Sequence, residues 1–155
     1  MEAENAACIF CQIITGALPA EIVLDDGDCL AFLDQRPLFP GHTLLVPRRH
    51  AGDLTSLPDD LLAPLMLNAR LLAQAMEAGL EADGSFIAIN NKISQSVPHL
   101  HIHIVPRRAG DGLRGFFWPR QRYADASEMT RVADRLRAAV AAARGSGATT
   151  RAAGP

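Results

Sequence analysis

Several features that would announce a partner are missing from this chain. Of its 155 residues, 15 are Lys or Arg and 17 are Asp or Glu, a formal net charge of -2. That balance excludes bulk electrostatic binding to nucleic acid or to an anionic membrane surface, so any anion site must be local. No apolar run approaches the roughly 20 residues of a membrane span. The opening stretch from Met1 to Cys8 has acids in place of a basic region and no apolar segment after it, so no signal peptide is expected. Three cysteines, an odd number, do not make a disulfide framework, and a reducing cytoplasmic location is expected. There is one lysine, Lys92, and no internal repeat.

What is present is the composition of an ordinary globule, 48% hydrophobic and 21% charged, in a chain long enough for one domain with a real core. Glu21 to Leu24, the turn Asp25-Asp26-Gly27 and Cys29 to Leu33 read as a hairpin, with Cys29 in the core. His42 to Pro47 adds a third strand to an antiparallel meander. From Ser56, an N-cap candidate, the period becomes helical: Leu61, Leu62, Leu65, Ala69, Leu72, Ala73 and Met76 recur to Gly79. Pro64 either lies near enough to the helix start to be tolerated or breaks its first turn. Phe86 to Asn90 resumes the strand pattern. Ser127 caps a last helix with Met129, Val132, Ala133, Leu136 and Val140 on one face. Residues 1–144 read as a single domain and 145–155 as a disordered tail. Between Arg107 and Tyr123 a long loop holds arginines and the aromatics Phe116, Phe117 and Trp118, which pack on a ligand, a second subunit or their own sheet.

Chemistry concentrates in two places. Cys8-Ile9-Phe10-Cys11 puts two cysteines three apart, able to point at one atom as metal ligands or a redox pair, or else a pair of small buried hydrophobes. His99-Leu100-His101-Ile102-His103-Ile104 alternates imidazoles with branched aliphatics. On a strand that alternation places Leu100, Ile102 and Ile104 toward a core and the three histidines on the opposite face. Two mechanisms use such a row: ligation of a catalytic zinc, or a histidine nucleophile whose neighbours orient it and neutralise phosphate. Gln95-Ser96, directly before the strand, supplies the donors that a phosphate needs and a metal does not. Residues two apart lie about 7 Å apart along a strand, so His99 and His103 flank His101. If His101 donates from Nδ1 to a carbonyl, its Nε2 lone pair is free to attack phosphorus.

The run His99 to Val105 resembles the signature of the histidine triad (HIT) superfamily of nucleotide hydrolases and transferases. The landmarks Cys8-Ile9-Phe10-Cys11, Ala31-Phe32-Leu33-Asp34, Pro40 to Pro47, His50 and Gln95-Ser96-Val97-Pro98 follow in family order. The resemblance implies an α+β fold. It comprises a five-stranded antiparallel meander sheet, one long helix across it, short N-terminal and C-terminal helices, and a homodimer that joins two sheets. It implies hydrolysis of nucleoside phosphoramidates or dinucleoside polyphosphates at the α-phosphorus through a nucleotidyl-histidine, with a purine nucleotide as substrate and no organic cofactor.

By motif position His101 matches the nucleophile and His103 a phosphate contact, with Gln95 and Ser96 on phosphate or leaving group. Asp34 matches the acid that holds the ribose hydroxyls, Phe10, Ile13, Phe32 and Gln35 enclose the base, and Asn90 matches an asparagine near phosphate. The resemblance further implies a structural zinc on Cys8, Cys11, His50 and His99, with His42 hydrogen-bonding near the histidine strand. The loop Asn91 to Ser94 departs from the family in having Lys92 and Ile93 where small residues are usual. Arg107, Arg108 and Arg114 either bind extra phosphates or form a solvated rim. Two other readings stand beside the hydrolase: a purine-nucleotide-binding interaction protein with incidental catalysis, and a zinc hydrolase that uses the triad as ligands.

Overall fold

The computed structural model describes residues 7–113 and 122–151. The chain falls into two compact units, Met1–Gly112 and Leu113–Pro155, where the sequence suggested one domain to residue 144. The first unit is a five-stranded antiparallel sheet made of β1 (Ile22–Asp25), β2 (Cys29–Leu33), β3 (Thr43–Pro47), β4 (Gly84–Ala88) and β5 (Ile102–Arg107), with helices α1 (Ile9–Ile14) and α2 (Asp59–Leu80). Of the second unit, helix α3 (Ala126–Arg151) is described.

The meander holds for β1, β2 and β3, but the strand order is β1-β2-β3-β5-β4. Alternation identifies a strand without naming its neighbour. After the crossover through α2, β4 takes the edge and β5 returns between it and β3.

Period two divides the sheet cleanly. Cys29, Ala31, Leu45, Ile102 and Ile104 face α2, whose Leu61, Leu65, Ala69, Leu72 and Met76 complete the main core. Leu30, Phe32, Leu44 and Val46 face the other way, against Cys8, Phe10 and Cys11 of the N-terminal segment. Truncating a residue such as Leu65, 1% exposed, to Ala costs about 2–5 kcal/mol.

Helix α2 starts behind Pro58 rather than at Ser56, which instead completes a capping box with Asp53 around a 3₁₀ turn, Leu54–Ser56. The helix contains Pro64 and ends past Gly79, on Glu81 in the left-handed conformation (φ 54°). The turn between β1 and β2 is tied down by Asp26, whose carboxylate accepts from the backbone N–H of Asp28 (2.9 Å) and Cys29 (2.7 Å) and, across to α2, from Asn68 Nδ2 (2.7 Å).

The histidine strand is shorter than its alternation suggests, beginning only at Ile102. His99, Leu100 and His101 stand before the ladder and are all buried. Leu100 still joins Ile102 and Ile104 in the α2-facing core, and the three imidazoles share the opposite face, packed beneath Phe10 or against one another rather than open to solvent. The physical reason for the late start of the strand is Pro47. The β3–β5 register pairs Leu45 with Ile102, and Pro47 at the end of β3 has no N–H to continue the ladder. Leu100 N–H donates past it to the Ala51 carbonyl (2.7 Å).

Candidate catalytic site and metal centre

The sheet face opposite α2 carries the chemistry. Register places Phe32 across from Leu44, Leu44 across from His103, and His103 across from Ala88, one row spanning four strands. Helix α1 lays Phe10 over this row. Its ring meets Phe32 (centroids 5.4 Å), His99 (5.9 Å) and His101 (5.2 Å) edge-on.

Hydrogen positions follow from groups that can act only one way. A carbonyl only accepts, so His101 Nδ1, 2.7 Å from the His99 carbonyl oxygen, carries the proton and Nε2 keeps its lone pair. A backbone N–H only donates. Leu38 N–H is directed at His42 Nδ1 (3.2 Å), which puts the His42 proton on Nε2, and that proton is donated to His103 Nδ1 (3.0 Å). His103 is left with Nε2–H as its outward donor. Burial, with His101 and His42 beside it, pushes the His103 pKa down to about 4, so the ring is neutral near pH 7. Burial likewise lowers His42, against the opposing pull of Asp34, whose Oδ2 lies 3.7 Å from Nδ1.

Beside this cluster lies a cleft of about 520 Å³ lined by Ile9, Phe10, Ile13, Leu18, Phe32, Asp34, Gln35, Arg36, Leu44, Ser96 and others. It is large enough for a nucleoside. The structure thus brings together Phe10, Ile13, Phe32, Asp34, Gln35 and Ser96 from the residues expected to bind nucleotide. Asn90, Gln95 and His103 stand outside the lining. Asn90 is exposed, and Gln95 spends its amide on Gly52 and Lys92. Arg36 at the rim was not anticipated: its backbone N–H donates to Asp34 Oδ1 (2.8 Å), a turn signal that says nothing of its side chain.

The second cluster holds Cys8, Cys11, His50 and His99, whose ligand atoms lie within 4.8 Å of one another. His99 Nδ1 is 3.5 Å from each sulfur, and His50 Nδ1 is 3.3 Å from Cys11 Sγ. Around a tetrahedral zinc with Zn–S of about 2.3 Å and Zn–N of about 2.0 Å, sulfur and nitrogen stand about 3.5 Å apart, so these side chains fit that ion. His99 donates from Nε2 to the Pro47 carbonyl (2.9 Å), which frees Nδ1 for the ion and fixes the ring. Burial and the adjacent Cys8 push the Cys11 thiol up to about 11, and burial pushes His99 down to about 4. A dication would reverse the first shift by favouring the thiolate.

Asp34, His42 and His103 form another close group. Its contacts run in series, carboxylate to ring to ring, with His42 and His103 nitrogens directed at each other, so it orients protons and does not converge on an ion. Among the described residues no metal-capable group unites His99, His101 and His103, which removes the geometric basis for a zinc hydrolase built on the triad. Arg107 is gripped by Asp111 through two bonds (2.5 and 2.8 Å), and the Arg108 guanidinium donates to the Leu80 carbonyl. Arg114, Phe116, Phe117 and Trp118 lie outside the described residues.

Comparisons with known proteins agree with this geometry. The HIT domain model matches residues 15–110. An uncharacterised HIT-like protein of Mycobacterium tuberculosis is 44% identical over 108 residues, 68% of this chain and 75% of that protein. The adenosine 5′-monophosphoramidase of Saccharomyces cerevisiae is 37% identical over 120 residues, 76% of this chain and 73% of that one. A crystal structure of a zinc-bound histidine triad family protein from Mycobacterium smegmatis superposes with a TM-score of 0.68 at 39% identity, covering 92% of this chain and 99% of that one.

Proposed function

The chain belongs to the HIT domain family, and we propose that it is a nucleotide hydrolase that cleaves at the α-phosphorus of nucleoside phosphoramidates or dinucleoside polyphosphates and releases nucleoside monophosphate. The observation that carries this reading is the bond from His101 Nδ1 to the His99 carbonyl, which leaves Nε2 basic beside a nucleoside-sized cleft. The phosphoramidase activity named for the yeast relative supports it.

Asp34 accepts the ribose hydroxyls, and Phe10, Ile13, Phe32 and Gln35 enclose a purine. His101 Nε2 attacks the α-phosphorus, a P–N(His) bond forms, and the bond to the amine or polyphosphate breaks. His103 Nε2–H donates to a non-bridging oxygen as charge builds there. The departing amine takes a proton from water at the cleft. Water then attacks phosphorus, the P–N(His) bond breaks, nucleoside monophosphate leaves and His101 is regenerated with its proton still on Nδ1. The tie of Arg107 to Asp111 and of Arg108 to Leu80 favours phosphoramidates over longer polyphosphates. Cys8, Cys11, His50 and His99 would hold a zinc ion as a cross-link, not as a reacting group.

A homodimer fits two further observations. Strand β4 is a sheet edge, and α2 exposes Leu62, Met66, Leu67 and Leu71 on one side of the helix. A cytoplasmic site of action suits an odd number of cysteines, two of which belong to the metal-capable cluster. No helix among the described residues is long and apolar enough to cross a membrane.

Turnover of adenosine 5′-phosphoramidate, with rapid acid-free quenching to trap nucleotidyl-His101, tests the proposal. A wild-type rate no higher than that of His101→Ala would leave a purine-nucleotide-binding interaction protein in its place.

A further inference from the structure

The stretch Asn91–Leu100 delivers Ser96 to the cleft and precedes the nucleophile, yet it belongs to no strand or helix. Two of its residues, Lys92 (φ 71°) and Ser94 (φ 58°), hold left-handed backbone that non-glycine residues adopt at a cost. Something outside the loop must therefore fix it.

The segment that follows His50 does so, residue by residue and in antiparallel order. The Ala51 carbonyl accepts from Leu100 N–H (2.7 Å), and the Gly52 carbonyl accepts from Gln95 Nε2 (2.6 Å). Asp53 Oδ2 faces Lys92 Nζ (3.6 Å), and Leu54 N–H donates to Asn91 Oδ1 (2.8 Å). The ion pair is the exposed, weakest member. Gln95 is the pivot, because its Oε1 also accepts from Lys92 N–H (3.0 Å) and so closes the turn whose left-handed residues need support. This clasp is anchored on a metal-capable residue at either side, His50 before Ala51 and His99 before Leu100. The His99 carbonyl in turn holds the proton of His101.

We infer that Gln95 is a positioning residue for nucleotidyl transfer, and that the Ala51–Leu54 clasp carries metal occupancy at His50 and His99 to Ser96 and His101. This rests on the hydrolase reading above. Gln95 acts here through Gly52 and Lys92 and makes no contact with phosphate. Emptying the metal centre frees half-buried His50 and with it the start of the clasp, so the loop loses its support while the β2–β3 ladder, held by its own register, does not.

Two measurements on the full chain test this. Hydrogen exchange of the zinc-loaded and zinc-depleted protein should show protection over residues 91–101 falling at least tenfold on depletion, with β2 and β3 unchanged. In zinc-loaded protein, Gln95→Ala and Asn91→Ala should give the same local loss. On adenosine 5′-phosphoramidate, Gln95→Ala should lower kcat about tenfold and leave KM within twofold. A KM rise with unchanged exchange would make Gln95 a substrate contact and overturn the inference. Equal exchange over 91–101 with and without zinc would overturn it as well. If depletion unfolds the whole chain, the Gln95 and Asn91 variants decide alone. If no variant or wild-type protein turns over nucleotide, the hydrolase reading fails while exchange still tests the clasp.

Discussion

With Leu38 N–H on Nδ1, the proton of His42 has to sit on Nε2, and His103 has to receive it. The orientation and tautomer of His103 are therefore imposed by a residue that need not touch substrate. Replacing His42 by Ala should lower kcat about 100-fold, the scale of losing an oriented donor to a charged transition state, with a smaller change in KM. Steady-state kinetics on adenosine 5′-phosphoramidate checks this, and a kcat within twofold of wild type would show that His103 needs no orienting partner. His103 also links pH to stability. Folded, it binds its proton only near pH 4, and unfolded near 6.5, so between these values the unfolded chain holds more protons. Its contribution is complete above about pH 6.5 and is lost as pH falls toward 4. The melting temperature should decline over that window, and His103→Asn should flatten the decline. An unchanged slope would mean that the ring titrates normally in the folded protein.

Elements end and turn here on residues with unusual backbone, and two of them make opposite predictions. Glu81 closes α2 at φ 54°, a position that glycine occupies without strain, so Glu81→Gly should stabilise the chain by about 1 kcal/mol in urea unfolding. Gly41 has φ 100°, and a Cβ there would run into Leu80 and come within 3.3 Å of Pro106 Cγ. Gly41→Ala should therefore destabilise by about 2 kcal/mol, from strain alone before the clash is counted. A neutral outcome for either change would remove the conformation as its cause. The same elements mark what sequence could disclose. Helix α2 was legible because one face of it is buried and the period follows, and strands β1 to β3 because their short apolar runs are bounded by turn residues. The return of β5 between β3 and β4 was not, since alternation is silent on partners. The early end of the β5 ladder was not legible either, because it is decided across the sheet by Pro47. That Cys8, Cys11, His50 and His99 meet could be expected from their order along a family pattern. The role of Gln95 could not, because its partner Gly52 is a backbone group without a side-chain signal.

At the scale of the whole molecule, the metal-capable cluster of Cys8, Cys11, His50 and His99 brings together the N-terminal segment, the end of β3 and the approach to β5. Helix α1 is six residues long, has no side-chain cap and buries only Phe10 and Cys11. A helix that short is not stable alone. Its docking on the sheet depends on Phe10 against Phe32 and on Cys8 and Cys11 against His50 and His99. Yet Ile9, Phe10 and Ile13 of that same helix form a wall of the cleft. The metal-capable cluster and the cleft are thus linked through packing of α1, besides the proposed clasp on the loop 91–100. Cys8→Ser or chelation should release zinc, lower the melting temperature and raise the Kd for adenosine monophosphate about tenfold or more, since the wall is lost. Protease should cut first ahead of β1, at residues 7–21, while the α2-facing core, with Leu45, Leu65 and Ile104 buried elsewhere, persists. Calorimetric titration with adenosine monophosphate, before and after zinc removal, reads the first effect and limited proteolysis the second. Unchanged affinity in a zinc-free, folded protein would mean that α1 keeps its place by apolar contact alone, and that Phe10 packing outweighs the four metal-capable side chains around it.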